Sequence, residues 1–525
     1  MKFQKILIIL LLFFYAKSWS QPIADSVYLN AILNNDLTKL EKLLETEKNP
    51  NKLMGKQQFP LLYFTLITGK ESLTQLLKNR GADINFKFQN KTILKLAVFE
   101  ENITNIELFV KNGANINQPD SAFYTPLMSA VKYRNTAAVS TLINLGANIH
   151  YATPDSLTVL DVAIIYGYPE IRTFLLSQGA KRTRKKTVNF VDGPHLKFTP
   201  EGNLTASELK SDENGNTKRL NLSEPELQNY ASFVPAINKQ NASEYMNSIP
   251  QPSIYSDVEK IIAVGDVHGN FDQVSNLLIN NQVIDSAYNW TWGKGHLVFI
   301  GDIFDRGEKV TQTLWLIVKL SLQAQQAGGN VHLLLGNHEL LALTGDYRYL
   351  HKNYYNLCNN LAIEYAELFN DSSFLGKFIR KSKIAVTING NLFVHAGISP
   401  EIANNFESVE QINQFAAGIF QQNDSIKQAD LLRSFAGPLW YRGFIGLNDG
   451  MPTISNENIE NITHKYQVKR IISGHTEVEE IKFTHNRQFI GINKPFRNAH
   501  ESEALYIENG KFFRATSDGK KTRLK

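Results

Sequence analysis

The sequence predicts an α/β protein in which two packed β-sheets are flanked by helices, preceded by an all-α repeat solenoid. Two observations carry this expectation. In the second half of the chain five short polar motifs each follow an apolar run, and through the first third a glycine motif recurs at nearly constant spacing. The polar motifs are GDVHGN (Gly265 to Asn270), GDIFDRG (Gly301 to Gly307), GNHE (Gly336 to Glu339), HAG (His395 to Gly397) and GHT (Gly474 to Thr476). Before them stand Ile261 to Val264, Leu297 to Ile300, Val331 to Leu335, Leu392 to Val394 and Arg470 to Ile472. Runs this short suit buried strands better than helices. Glycine beside each strand end lets the backbone turn tightly, so Asp, His and Asn side chains from several strands converge on one point.

Such a convergence has a definite chemistry. Asp266 and His268 are two residues apart, so from an extended strand end both face the same way. Carboxylate, amide oxygen and imidazole together suit Mn, Fe or Zn better than a metal that prefers thiolates. The Asp302 carboxylate offers two oxygens and can bridge two divalent metal ions, with Asn337, His395 and His475 completing the second ion's shell. Two ions roughly 3.5–4 Å apart clamp the attacking and leaving oxygens of an in-line displacement and lower the pKa of a bridging water. His338, beside Asn337, is then free to protonate a leaving group, with Asp305 as the partner that orients it. Arg306 and Arg442 offer planar forks for phosphoryl oxygens. Arg348 reads as a brace for the region after GNHE, His332 as a core histidine and His296 as a strand-edge one.

The motif series resembles the calcineurin-like metallophosphoesterases, in their phosphoprotein phosphatase branch. Within it, GDYRYLH (Gly345 to His351) and PLWYRG (Pro438 to Gly443) are similar to segments of the Shewanella-like protein phosphatases. The resemblance runs roughly from Val258 to Leu505. Carried over position by position, it implies Asp266, His268 and Asp302 on one metal, and Asp302, Asn337, His395 and His475 on the other. It makes His338 with Asp305 the acid pair and gives phosphate to Arg306 and Arg442. It further implies attack by a metal-bridging hydroxide on a phosphomonoester of a phosphorylated protein substrate, at Ser/Thr or Tyr. One departure stands out: Gly491-Ile492-Asn493 occupies the place of an acidic residue with glycine. Two other readings share these residues, a nucleotide or dinucleoside polyphosphate phosphoesterase and a binding protein with a vestigial phosphatase domain.

In the first third, GADIN begins at Gly81, GANIN at Gly113, GANIH at Gly146 and GAKRT at Gly179, at intervals of 32, 33 and 33. This period and the Thr125-Pro126-Leu127 turn resemble ankyrin repeats. An earlier unit, Tyr28 to Asn51, carries Asn49-Pro50-Asn51 in place of the glycine turn and reads as an N-terminal cap, giving about five helix pairs. Stacked repeats imply a protein partner on an exposed face.

The remaining features bound the class. A formal charge of +5 over 525 residues argues for no polyanion partner, and no nucleic acid is expected. The run KRTRKK (Lys181 to Lys186) reads as a solvated helix end or linker. The single cysteine, Cys358, excludes an intramolecular disulfide and a zinc–thiolate cluster. Lys2 and Lys5 precede an apolar run of eleven, Ile6 to Ala16, and Ser18-Trp19-Ser20 then offers a cleavage site before Gln21. Eleven residues are too few for a bilayer span of about 20, so a signal peptide and a secreted or periplasmic location are expected, with no membrane span in the mature form. The expected layout is a signal peptide over 1–20, ankyrin repeats over 21–187, a linker with a β-hairpin over 188–255, and the catalytic domain over 256–525.

Overall fold

The computed structural model describes residues 23–55, 58–237, 252–420, 427–446, 453–496 and 502–525. The signal peptide expected over 1–20 lies outside the described residues. The chain divides into two compact units, residues 1–183 and 184–525.

Among its described residues the first unit holds five helix pairs: Ile23–Leu33 with Leu37–Thr46, Leu61–Ile67 with Glu71–Asn79, Ile93–Phe99 with Ile103–Lys111, Pro126–Lys132 with Thr136–Asn144, and Val159–Ile165 with Pro169–Ser177. The repeated motif explains the repeated geometry. Thr92, Thr125 and Thr158 each cap a first helix, their hydroxyls accepting the N–H of Lys95, Met128 and Asp161. Gly81, Gly113, Gly146 and Gly179 follow the second helices at φ between +86° and +94°, a conformation costly for other residues. An asparagine ladder ties repeat to repeat. The side-chain carbonyls of Asn51, Asn85 and Asn117 accept the N–H of Asp83, Asn115 and Asn148 at 2.9, 2.7 and 2.7 Å. The degenerate first turn therefore still supplies its rung.

Two six-stranded sheets dominate the second unit among the described residues. One runs, edge to edge, Phe483–Thr484, Phe489–Asn493, Arg470–Glu477, Asn391–Val394, Ala385–Ile388 and Ile254–Tyr255. The other runs Lys521–Arg523, Lys511–Thr516, Glu503–Glu508, Lys260–Val264, His296–Phe299 and Asn330–Leu333. Residues two apart face the same side of a strand. Ile261 and Ala263 thus meet Val386 and Ile388, Ile490 and Ile492, and Leu505 and Ile507 in one buried cluster between the sheets. The closing hairpin turns at Asn509 and Gly510, both with positive φ, joining Glu508 to Lys511.

Residues 188–255 hold more than the expected hairpin. Val191–Phe198, Leu204–Ser211 and Thr217–Asn221 form a three-stranded antiparallel sheet. It is anchored to the catalytic unit, since the Trp315 indole donates to the Pro194 carbonyl at 2.8 Å. The KRTRKK run lies outside any helix, as a linker would, and is only partly solvated: Lys185 is buried, and its N–H donates to the Asn360 side chain at 2.9 Å. The region after GNHE is helical, in Asn337–Thr344, Lys352–Asn360 and Phe374–Arg380. No helix among the described residues is long and apolar enough to cross a membrane.

Candidate metal centre

Both sheets deliver polar side chains from the carboxyl ends of parallel strands. Lys260–Val264, His296–Phe299 and Asn330–Leu333 run parallel; the loops after the first two carry Asp266 and His268, and Asp302 and Asp305, while Asn337 and His338 open the helix that follows the third. In the facing sheet Asn391–Val394, Arg470–Glu477 and Phe489–Asn493 run parallel, placing His395, His475 and Asn493. His268, Asp302, Asp305 and His475 sit at φ of 49°, 54°, 70° and 60°, in the left-handed region. Such strain costs on the order of 1–3 kcal/mol per residue and collects at functional sites. The motif glycines admit close approach: a Cβ at Gly336 would lie 2.2 Å from Asp302 Oδ1, and one at Gly474 2.5 Å from Asp266 Oδ1.

Asp302 is the hub. Its Oδ2 lies 3.3 Å from His395 Nε2, 3.8 Å from His338 Nε2 and 3.9 Å from His268 Nε2. Two groups have metal-sized spacing, His268 with Asp302 and His338, and Asp302 with His395 and His475, each with its ligand atoms within 4.8 Å of one another. Asn337 Oδ1 is 3.0 Å from His395 Nε2. The Nδ1 atoms of His268 and His395 lie against the carbonyls of Phe304 and Ile300, at 2.8 and 2.9 Å. This fixes both rings with Nε2 toward Asp302, as outer partners do for metal ligands. The Nε2 atoms of His268 and His475 are buried with no hydrogen-bond partner among the described residues. A buried polar atom left unpaired needs an explanation, and a cation between these nitrogens and the carboxylate supplies one. Asp266 belongs to neither spaced group; its oxygens accept from the His475 N–H at 3.0 Å and from Asn493 Nδ2 at 2.6 Å.

The electrostatics point the same way. Burial, then the charge of Asp302, pushes the Asp266 carboxyl up to about 7. Burial pushes His268 down to about 3, and His475 well below the ordinary imidazole value. Burial also opposes a charge on His395, yet Asp302 overrides it and raises that ring to about 9. Asp302 itself stays well below the usual carboxylate range despite its burial, because His395 and His338 stand beside it. Buried carboxylates facing unpaired imidazole nitrogens form a donor set that suits divalent cations.

His338 and Asp305 form a separate pair, Nδ1 to Oδ2 at 2.6 Å, both buried. Burial lowers the His338 pKa, but Asp302 and Asp305 together raise it above the ordinary value. The Tyr349 ring lies 5.0 Å from the imidazole. Arg306 is exposed, and its charge depresses both His268 and His338. Arg442 does the same to His475 and reaches Thr476 Oγ1 at 3.5 Å. Arg348 pairs with Asp346, two residues before it, at 2.7 Å.

Two residues stand outside what the motifs foretell. Glu339, fully buried, accepts four backbone N–H groups, from Gly336 at 2.7 Å, Asp302 at 2.9 Å, Ile303 at 2.6 Å and Phe304 at 3.2 Å. It binds the GNHE and GDIFDRG turns together, and the Glu in the motif was the available signal. Asn493, at the departure from the acidic pattern, orients Asp266.

Comparisons with known proteins agree with this geometry. Residues 259–479 match the calcineurin-like phosphoesterase family and residues 123–154 the ankyrin repeat. An uncharacterized protein of Schizosaccharomyces pombe is 32% identical over 228 residues, covering 41% of this chain and 66% of that one. Shewanella-like protein phosphatase 2 of Arabidopsis thaliana is 26% identical over 203 residues, covering 30% and 51%. The chain spans about half to two thirds of the length of these curated relatives. The crystal structure of a cold-active protein-tyrosine phosphatase from a psychrophilic Shewanella matches with a TM-score of 0.56 and 28% identity, over 64% of this chain and 99% of that one. The second unit of this chain belongs to the calcineurin-like phosphoesterases, in a form similar to the Shewanella-like protein phosphatases, and ankyrin repeats precede it.

Proposed function

We propose that the protein is a metal-dependent phosphatase acting on phosphomonoesters of proteins, at Tyr or at Ser/Thr. The observation that carries this reading is the pair of metal-sized groups sharing Asp302, one of which includes His338, whose other ring nitrogen is bonded to Asp305. Asp266, His268 and Asp302 would hold one divalent ion, and Asp302, Asn337, His395 and His475 a second, with Mn, Fe and Zn all suited to the donors. Bound there, such ions supply Lewis acidity and an activated water. Arg306 and Arg442 bind phosphoryl oxygens from the rim and offset the negative charge that grows on them. Asp305 holds His338 at Nδ1, so His338 keeps a proton at Nε2 and gives it to the departing alkoxide or phenoxide. Tyr is supported by the likeness to the Shewanella protein-tyrosine phosphatase, and Ser/Thr by the breadth of the phosphoprotein phosphatase resemblance.

The ankyrin unit would recruit the partner that carries the phosphate. The leader would be cleaved before Gln21, releasing the enzyme to the periplasm or outside the cell; an intact mass beginning at Met1 in the exported protein would refute this. The function is tested by hydrolysis of p-nitrophenyl phosphate and phosphopeptides with and without Mn²⁺, beside Asp302→Asn. Metal-dependent turnover that is lost in the variant supports the reading. Turnover of nucleotides alone would move the assignment to a nucleotide phosphoesterase.

A further inference from the structure

A pocket of about 210 Å³ opens in the first unit, between the helices Ile93–Phe99 and Pro126–Lys132 and the loops that lead into them. Its lip is aromatic: the Phe99 and Tyr133 rings meet edge to face at 5.3 Å, yet stand 55% and 42% exposed. Apolar surface of this kind left open beside a cavity is where partners bind.

The pocket is also cationic. Lys91 lies over the Phe99 ring at 5.4 Å and Lys132 over the Tyr124 ring at 5.6 Å. Neither ammonium forms an ion pair with a carboxylate among the described residues. The one acid in the wall, Asp120, is already committed. One oxygen pairs with the buried Lys95, and the other accepts the N–H of Ala122 and Tyr124 at 2.9 and 2.8 Å. Burial chiefly holds Lys95 below the ordinary lysine range, and against the pull of Asp120 the charges of Lys132 and Lys91 add to that effect. Lys95 and Asp120 therefore cancel, while Lys91 and Lys132 leave the mouth positive.

We propose that this pocket docks an acidic peptide segment of a partner protein, with carboxylates on Lys91 and Lys132 and an apolar side chain over Phe99 and Tyr133. Carboxylates fit better than phosphate. The cations are two separated point charges on ring faces, with no guanidinium fork between them, and the nearby Arg134 is paired with Glu170 at 2.9 Å. The proposal is independent of the catalytic reading, since it concerns the first unit alone.

The test is fluorescence anisotropy of a labelled short peptide of alternating Glu and Leu, titrated with the full-length protein. A twin peptide carries Gln for every Glu, and a single-stranded oligonucleotide serves as a competing polyanion. The acidic peptide is expected to bind about tenfold more tightly than its twin, with affinity falling as salt rises. Lys91→Glu with Lys132→Glu should abolish that preference, and Phe99→Ala should weaken both peptides alike. Thermal unfolding of each variant reports its folding; should the reversal disturb it, Lys91→Gln with Lys132→Gln decides by the same comparison. Equal affinity for the two peptides, no binding of either, a charge variant that keeps the preference, or tighter binding of the oligonucleotide would each overturn the proposal.

Discussion

Glu339 holds four backbone N–H groups with two oxygens, so both lone-pair directions of each oxygen are spoken for. Replacing it by Gln turns one of those oxygens into a donor aimed at donors. Glu339→Gln should cost on the order of 1–3 kcal/mol of stability and loosen the turn that presents Asp302. The check is thermal unfolding together with metal content, and an unchanged melting temperature would count against the fastening role. Asn493→Ala frees Asp266 of its side-chain partner, so metal affinity should fall by roughly 10–100-fold, measured by competition with a chelator. His338 can be separated from the ligands by the same means. It lies within one metal-sized group, but Asp305 occupies its other nitrogen. As proton donor, His338→Ala should lower kcat about 10²–10⁴-fold while the protein keeps its full metal content. Loss of an ion in that variant would make His338 a ligand instead.

The strands show why much of this site could be read without coordinates. Each ligand follows an apolar run that is buried on both faces, and such runs leave an unbroken hydrophobic signal with a polar stop. Asp302, His395 and His475 were legible for that reason. Asn493 was harder, because its strand ends in Gly-Ile-Asn and the asparagine gains meaning only from Asp266 across a register that no local pattern shows. The third strand of the appended sheet, Thr217–Asn221, was missed because it is mostly exposed and alternates weakly. Away from the site, His296 Nδ1 lies 3.1 Å from His332 Nε2, and both are buried, with His296 on an inner strand of its sheet rather than at an edge. Burial lowers His296 from 6.5 to about 4 and His332 well below its ordinary value. Unfolding lets both bind protons that the fold refuses, so the fold is favoured fully above pH 6.5 and loses ground as the pH falls towards 4. His332→Phe should flatten the fall in stability across that window, as followed by urea unfolding at several pH values. An unchanged slope would show that other groups govern it.

Each of the two units has its own core, helix pairs in one and facing sheets in the other, so ligand linkage should act on them separately. Ions that bind the folded second unit and not its unfolded chain stabilise it by mass action, about 2.7 kcal/mol at a hundredfold excess over Kd. Without them, the site keeps its buried carboxylates at the cost of repulsion between Asp266 and Asp302. The asparagine ladder and threonine caps of the first unit hold no metal-sized group among the described residues. Chelation should therefore lower the unfolding temperature of the second unit and leave that of the first where it was, as seen by scanning calorimetry. Adding Mn²⁺ back should restore the shift, and Asp302→Asn should lose most of the response because it removes the oxygen shared by both metal-sized groups. A chelator that moves neither transition would mean the second unit binds no stabilising ion, and with it the metal-dependent phosphatase would fall.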